Sequence, residues 1–136
     1  MLKTQLNPQG QARIKPASAA RPDADQRGRE GEAEAAMFLA QSGWQVVAER
    51  VKTKAGEIDL IARRTGVVAF VEVKWRARSV ALADAIDERR LKRVAAAVEC
   101  VWQDYATDGE DIRIDVILLA PGRKPTHIEN AWMPFG

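Results

Sequence analysis

Hydrophobic and polar residues follow a strand-like pattern between residues 44 and 75, where we predict three β-strands. The stretch VKTKAG, residues 51–56, is polar and predicts a turn after the first strand. Thr65 and Gly66 separate the second strand from the third. The predicted strands cover about residues 44–50, 57–64 and 67–75. The second and third strands therefore form a β-hairpin in the middle of the chain.

One helix is predicted before these strands and one after them. REGEAEAAMFLAQSG, residues 29–43, is rich in Ala, Glu and Leu, has early acidic residues that suit a helix N-terminus, and stops at Gly43. In residues 87–106 apolar side chains recur at helical spacing, with Asp87 as the predicted N-cap. These apolar residues are Leu91, Val94, Val98, Val101, Trp102 and Tyr105.

A fourth strand and an edge strand complete the predicted fold. IRIDVILLA, residues 112–120, is continuously apolar in its second half, as in a strand covered on both faces, and residues 126–133 suit an edge strand. A strand, a long helix and another strand imply a parallel, right-handed crossover. The sequence therefore predicts an α/β fold in the order α-β-β-β-α-β, with a mixed sheet flanked by helices.

The composition indicates a small soluble domain with a basic arm. Of the 136 residues 46% are hydrophobic and 29% are charged, and the net charge of +2 alone is too small to indicate nucleic-acid binding. Residues 1–26 lack apolar periodicity and are predicted to be a disordered, mildly basic arm, and residues 27–136 to be a single domain. Cys100 is the single cysteine, so no internal disulfide or cysteine metal cage can form. No apolar run approaches the roughly 20 residues of a membrane span, and we expect a cytoplasmic protein with no membrane partner.

The central hairpin carries an unusual number of ionisable side chains. If its loop has two or four residues, Asp59 faces Glu72, Glu57 faces Lys74, and Ile61 faces Phe70. A three-residue loop would break this register. Opposed carboxylates, with Cβ atoms about 5 Å apart, are unfavourable unless one is protonated or a cation lies between them.

Two interpretations of these charges remain open. Mg²⁺ accepts carboxylate oxygens at about 2.1 Å and fits between the two acids, while a lysine can orient a nucleophile or stabilise charge on phosphorus. Arg76 and Arg78 continue the parity of Lys74 and suit a phosphate backbone. Alternatively, Glu57 and Lys74 form a cross-strand ion pair and Asp59 accepts hydrogen bonds from backbone amides near a turn.

Four segments, taken in order and spacing, resemble a known family. RGREGEAEAAMFL, GEIDLIAR, VAFVEVKWR and RIDVILL are similar to segments of the uncharacterised bacterial YraN family. That family is a proposed relative of archaeal Holliday-junction resolvases within the PD-(D/E)XK nuclease superfamily. The resemblance covers about residues 27–132 and implies a restriction-endonuclease-like αβββαβ core.

The resemblance also implies roles for particular residues. The implied catalytic residues are Asp59, Glu72, Lys74 and Glu32. Asp59 and Glu72 would hold Mg²⁺ or Mn²⁺ together with the backbone carbonyl of Val73, and Glu57 is a further candidate. Trp75 departs from the small residue usual after the lysine, and Arg90 replaces a lysine typical of the second long helix.

Basic residues cluster at the start of that helix. Arg89, Arg90 and Arg93 either contact nucleic acid, with DNA favoured over RNA, or pair with nearby acids. These acids are Asp84, Asp87 and Glu88. Asp115 is expected to be structural and to bond Arg113, and the single histidine, His127, supports no zinc site.

The sequence favours a metal-dependent endonuclease that hydrolyses DNA phosphodiesters at branched or structured DNA. The alternative is a non-catalytic nucleic-acid-binding or interaction module that keeps the nuclease fold. An RNA substrate is a third interpretation, although nothing in the sequence indicates recognition of a 2′-hydroxyl. Because junction resolvases generally act as symmetric dimers, the resemblance also implies a homodimer.

Overall fold

The computed structural model describes residues 24–77 and 86–132, with side chains from residue 28 onward. It contains two long helices and five strands in that part of the chain. The helices are α1 (Ala24–Gln41) and α2 (Glu88–Tyr105). The strands are β1 (Gln45–Thr53), β2 (Gly56–Arg64), β3 (Val67–Trp75), β4 (Asp111–Leu119) and β5 (Thr126–Trp132).

The five strands form one mixed sheet in the order β1-β2-β3-β4-β5. Strands β3 and β4 are parallel and joined through α2, whereas the other neighbouring pairs are antiparallel. The predicted parallel pairing of β3 and β4, the edge position of β5 and the α/β fold class are confirmed. Neither described helix has an apolar stretch of the length needed to cross a membrane.

Two boundaries differ from the sequence predictions. β1 continues to Thr53, so that only Lys54 and Ala55 remain of the polar turn. The added polar residues pair with β2, as Lys52 does with Glu57, and an edge strand can expose polar side chains without cost. Helix α1 begins at Ala24, earlier than the predicted helical segment that starts at Arg29, and takes up the last three residues of the predicted arm.

The sheet separates two hydrophobic cores. On one face Phe70, Val68 and Ile114 pack against the buried side of α2, and on the other Leu60 and Val71 pack against α1. The predicted apolar stripe of α2 is buried at Leu91, Val94 and Val98 and partly buried at Val101, Trp102 and Tyr105.

Gly31 determines how closely α1 approaches the sheet. A Cβ at this position would lie 3.3 Å from Leu119 Cδ1, which is tighter than ordinary van der Waals contact. The close approach brings the following residue, Glu32, next to the ends of β2 and β3.

Candidate active site

The central hairpin opens at Asp59. Its two-residue turn gives the predicted register, with Ile61 opposite Phe70, and the described pairing ends at Leu60 and Val71. Just beyond this last pair, the Val73 N–H donates a hydrogen bond of 2.8 Å to Asp59 Oδ2. The Asp59 side chain therefore bridges the two strands at the point where their ladder stops.

An irregularity of β1 lies opposite this opening. Arg50, between the residues that pair with Leu60 and Ile58, has a left-handed backbone with φ of 52°. This conformation costs a residue with a side chain about 1–2 kcal/mol. Ile58 and Ile61 pack on the α2 side while Leu60 packs on the α1 side, so the side-chain alternation of β2 breaks next to Asp59.

Three carboxylates meet in a pocket at the opening of the hairpin, which residues of both helices line. Glu32, Glu57 and Asp59, here called the acidic cluster, each offer an oxygen within 4.8 Å of the others. The pocket has a volume of about 220 Å³. Its lining residues are Gly28, Gly31, Glu32, Glu57, Asp59, Val73, Trp75 and Arg90. The structure thus brings Glu32 of the first helix to Asp59, as the family resemblance implied.

Glu72 lies beside this cluster and is 3% exposed. Its Oε2 accepts a hydrogen bond of 2.6 Å from Arg90 Nε. Its Oε1 is buried and has no hydrogen-bond partner among the described residues. A buried carboxylate oxygen left in this way is costly unless a cation or a proton satisfies it.

The carboxyl groups have perturbed acidities. Burial, reinforced by the charge of Asp59, raises the pKa of Glu32 to about 7 and that of Glu72 to about 7. Burial also raises the pKa of Asp59, although the hydrogen bond from Val73 opposes the change. The positive charges of Arg50 and Arg90 only partly offset these effects. Ionisation of these carboxyl groups is therefore less favourable in the folded protein than in water, and a bound cation would oppose this effect.

Lys74 is buried on the α2 side of the sheet, and its Nζ lies 3.9 Å from Asp87 Oδ2. The predicted cross-strand position of Glu57 opposite Lys74 is wrong, because β2 and β3 no longer pair beyond Leu60. Glu57 joins the acidic cluster, and on the β1 side of its strand its backbone is in register with Lys52. Lys74 keeps the parity of Glu72, as predicted, and lies by the N-terminus of α2.

The arginines at the start of α2 have different environments. Asp87 caps the helix as predicted, since its Oδ1 accepts a hydrogen bond from the Arg90 N–H. Arg89 and Arg93 are exposed, whereas the Arg90 side chain reaches Glu72 rather than an acid of its own helix.

Strand β3 ends beside the same pocket. Arg76, just after the strand, is partly buried and donates to the Trp75 carbonyl. Trp75 is 41% exposed at the pocket rim. Arg78 and Asp84 lie outside the described residues.

Asp115 has the structural role that was predicted. Its carboxylate is fully buried and contacts Arg113 Nη2 at 2.9 Å, His127 Nε2 at 2.8 Å and the Asn130 N–H at 2.8 Å. Burial alone would raise its pKa, but the hydrogen bonds from these residues outweigh it and the pKa is lowered. The single histidine, His127, therefore contacts the buried Asp115, and it does not belong to the acidic cluster.

Sequence reasoning missed two features of the site. Arg50 Nη1 lies 3.7 Å from Glu32 Oε1, and Arg90 is the cation on Glu72. No local sequence pattern predicts either contact, because each contact joins two elements that are distant in sequence. The replacement of a lysine by Arg90 was the one signal that pointed to that position.

The donors of the site suit a hard divalent cation. The acidic cluster and Glu72 offer only carboxylate oxygens, which Mg²⁺ and Mn²⁺ prefer. The orphaned Oε1 of Glu72 and the raised pKa values of the carboxyl groups indicate that a cation would relieve the local charge. The residues present therefore fit such an ion.

The fold is similar to that of a solved structure. The structure of Archaeoglobus fulgidus Hjc, described as a Holliday junction resolvase from an archaeal hyperthermophile, matches with a TM-score of 0.53. The match covers 76% of this chain and 72% of that chain at 14% sequence identity. The predicted restriction-endonuclease-like fold is thereby confirmed.

Sequence comparisons identify the family. The model of the uncharacterised protein family UPF0102 matches residues 31–119. A UPF0102 protein of Erythrobacter litoralis is 61% identical over 111 residues, which cover 82% of this chain and 96% of the relative. A UPF0102 protein of Rhizorhabdus wittichii is 52% identical over 109 residues, which cover 80% of this chain and 92% of the relative. The predicted YraN-like membership is therefore confirmed, and the chain belongs to the uncharacterised protein family UPF0102.

Proposed function

We propose that this protein is a metal-dependent endonuclease that hydrolyses DNA phosphodiester bonds at branched or structured DNA. One observation carries the proposal. Buried carboxylates from α1, β2 and β3 meet where the central hairpin opens, with Lys74 one alternate position beyond Glu72. The fold shared with a Holliday junction resolvase supports DNA as the substrate class.

Asp59, Glu72 and the Val73 carbonyl would hold Mg²⁺ or Mn²⁺, and Glu32 and Glu57 would assist from the other side of the pocket. Such an ion supplies Lewis-acid stabilisation of the phosphate and lowers the pKa of a bound water. Asp59 is held for this task by the Val73 N–H, which orients one oxygen and leaves the other to a ligand.

Lys74 binds and orients the attacking water. Lys74 is 8% exposed, and its Nζ lies 3.9 Å from Asp87 Oδ2 at the N-terminus of α2. A positioned ammonium also stabilises charge that develops on the phosphorus oxygens. The proposed set of catalytic residues is Asp59, Glu72, Lys74 and Glu32.

Basic side chains that follow β3 or lie at the start of α2 in the sequence contact the DNA backbone. The proposed contacts are Arg76, Arg78, Arg89, Arg90 and Arg93. Exposed guanidinium groups bind phosphates well because their donors match the oxygen geometry. The exposed indole of Trp75 stacks on a base that is unpaired at the cut, which favours branched DNA over an intact duplex. A homodimer would place two such sites on a four-way junction.

A non-catalytic DNA-binding module is the second candidate, and the contact between Arg90 and Glu72 favours it. A guanidinium at 2.6 Å neutralises this carboxylate without a metal. If that arrangement persists under all conditions, Arg90 already supplies the positive charge that Glu72 needs, and the site binds DNA without a metal ion and without cutting.

Cleavage of a labelled substrate panel tests the proposal. The panel contains a four-way junction, a flap, a single strand, a duplex and an RNA, each incubated with Mg²⁺, Mn²⁺ or EDTA. Asp59→Asn keeps the acceptor for the Val73 N–H while removing a charge, and Lys74→Met removes the ammonium. Asp111→Asn and Lys124→Met, at exposed positions, are the matched controls.

We expect metal-dependent cutting by the wild type and by both controls, and its loss in Asp59→Asn and Lys74→Met. Cutting that survives both site substitutions would come from a contaminant and would refute the assignment. Metal-independent binding with no cutting of any substrate would instead support the second candidate.

A further inference from the structure

Arg90 contacts Glu72, one of the carboxylates proposed to bind the metal ion. Its Nε–H donates to Glu72 Oε2 at 2.6 Å, a short, charge-assisted contact. Glu72 Oε1 has no hydrogen-bond partner among the described residues, so Arg90 satisfies only one of the two oxygens. The guanidinium thus neutralises the carboxylate only in part, whereas a divalent cation could bind the remaining oxygen.

The guanidinium is also able to leave. The Arg90 side chain is 45% exposed, while Glu72 is 4% exposed at its side chain. In the described part of the chain Nε is the only side-chain nitrogen of Arg90 with a hydrogen-bond partner. One contact therefore holds Arg90 in position, and its two terminal nitrogens are unused by described residues.

A displaced Arg90 has an anion close at hand when DNA is bound. It belongs to the first turn of α2, where a cation opposes the helix dipole and needs a compensating negative partner. It lines the pocket that holds the acidic cluster, so a phosphate bound there lies within the range of its fork of donors.

We propose that Arg90 is a resident cation of the site: it holds Glu72 until a divalent metal ion binds, and it then moves to a phosphate oxygen of the DNA. This inference rests on the proposed metal-dependent function. It gives Glu72 a cationic partner before metal binding, and it couples metal binding to DNA binding through one side chain.

Metal affinity tests the first half of the inference. Mn²⁺ binding is measured by calorimetry without DNA for the wild type, Arg90→Met and Arg93→Met. Arg93 is the matched control, because it is an exposed arginine one turn along the same helix. Removing a competitor should tighten Mn²⁺ binding by at least about fivefold in Arg90→Met. The change in Arg93→Met should stay below about twofold.

The wild-type protein provides a second readout that does not depend on how a variant folds. The NMR signal of the Arg90 Nε–H should report the short contact with Glu72 and should shift when Mg²⁺ is added. An unchanged signal at saturating Mg²⁺ would overturn the displacement of Arg90.

DNA affinity tests the second half. Binding of a fluorescent four-way junction is compared in Mg²⁺ and in EDTA, in a Lys74→Met background to prevent cutting. Arg90→Met should weaken binding by about fivefold or more in Mg²⁺ and by much less in EDTA. Arg93→Met should weaken binding by the same factor in both, as expected for a constant phosphate contact.

The outcomes separate the two proposals. If the wild type binds Mn²⁺ but Arg90→Met binds it no more tightly, Arg90 is not a competitor and this inference fails while the metal site stands. If the wild type binds no Mn²⁺ at all, the metal-dependent function is wrong and the inference fails with it.

Discussion

Replacement of Glu72 by Gln should stabilise the folded protein at high pH and leave it almost unchanged at low pH. Burial and the charge of Asp59 raise the pKa of Glu72 from 4.5 to about 7, so ionisation is harder in the folded state than in the unfolded chain. Gln keeps the size of the protonated side chain and can still accept the Arg90 hydrogen bond, but it cannot ionise.

The size of the effect follows from the pKa. Each pKa unit corresponds to about 1.4 kcal/mol, so at pH 9 the ionised Glu72 lowers the free energy of unfolding by about 3 kcal/mol relative to a neutral side chain. The folded pKa lies above the unfolded value, which means that the loss begins near pH 4.5 and is complete above about pH 7. For a domain of this size about 3 kcal/mol corresponds to roughly 10 °C in Tm.

Thermal and urea unfolding of the metal-free protein between pH 5 and pH 9 measure this difference. Glu49→Gln, at an exposed position of β1, controls for the loss of one negative charge and should show no comparable gain. The reasoning is refuted if Glu72→Gln is no more stable than the wild type at pH 9, or if its advantage is equally large at pH 5. Mg²⁺ at pH 8 should narrow the gap, because it would stabilise only the wild-type carboxylate.

Two further predictions concern residues other than the acidic cluster and Glu72. Asp115→Ala should destabilise the protein by about 3–5 kcal/mol, since it leaves Arg113 without its buried partner. Urea unfolding should show this loss, while the Mn²⁺ affinity of the folded fraction should not change. A variant as stable as the wild type would contradict the structural role of Asp115. Trp75→Ala should weaken single-stranded DNA binding by about 1–3 kcal/mol, and Trp75→Phe by less, in fluorescence anisotropy titrations. Equal affinities for Trp75→Ala and the wild type would exclude stacking by this residue.

Much of the fold could be predicted from local patterns. The alternation in β2 and β3 and the turn at Thr65–Gly66 predicted the hairpin register that places Ile61 opposite Phe70. The apolar stripe of α2 and the apolar half of β4 predicted the crossover that makes these strands parallel. These signals are reliable because the side-chain periods of helices and strands depend only on neighbouring residues.

The site was predicted less completely, because its contacts depend on where the regular pattern ends. Strict alternation placed Glu57 opposite Lys74, but the strands separate at Asp59 and the two side chains go to different partners. The left-handed Arg50 and the break of alternation between Ile58 and Leu60 change the faces that these residues use. An irregularity of this kind depends on packing from both sides of the sheet and has no signature in a short segment.

The sequence by itself determined the order of the helices and strands and the identity of the acids on the central strands, while the hairpin register depended on the length of the loop. Only the tertiary structure decided that Glu32 reaches Asp59 and that Arg90 neutralises Glu72. The physical reason is one of distance along the chain. Periodicity and turn chemistry act between near neighbours, whereas a shared site requires α1 and α2 to pack on opposite faces of the sheet, with Gly31 allowing the close approach of the first helix.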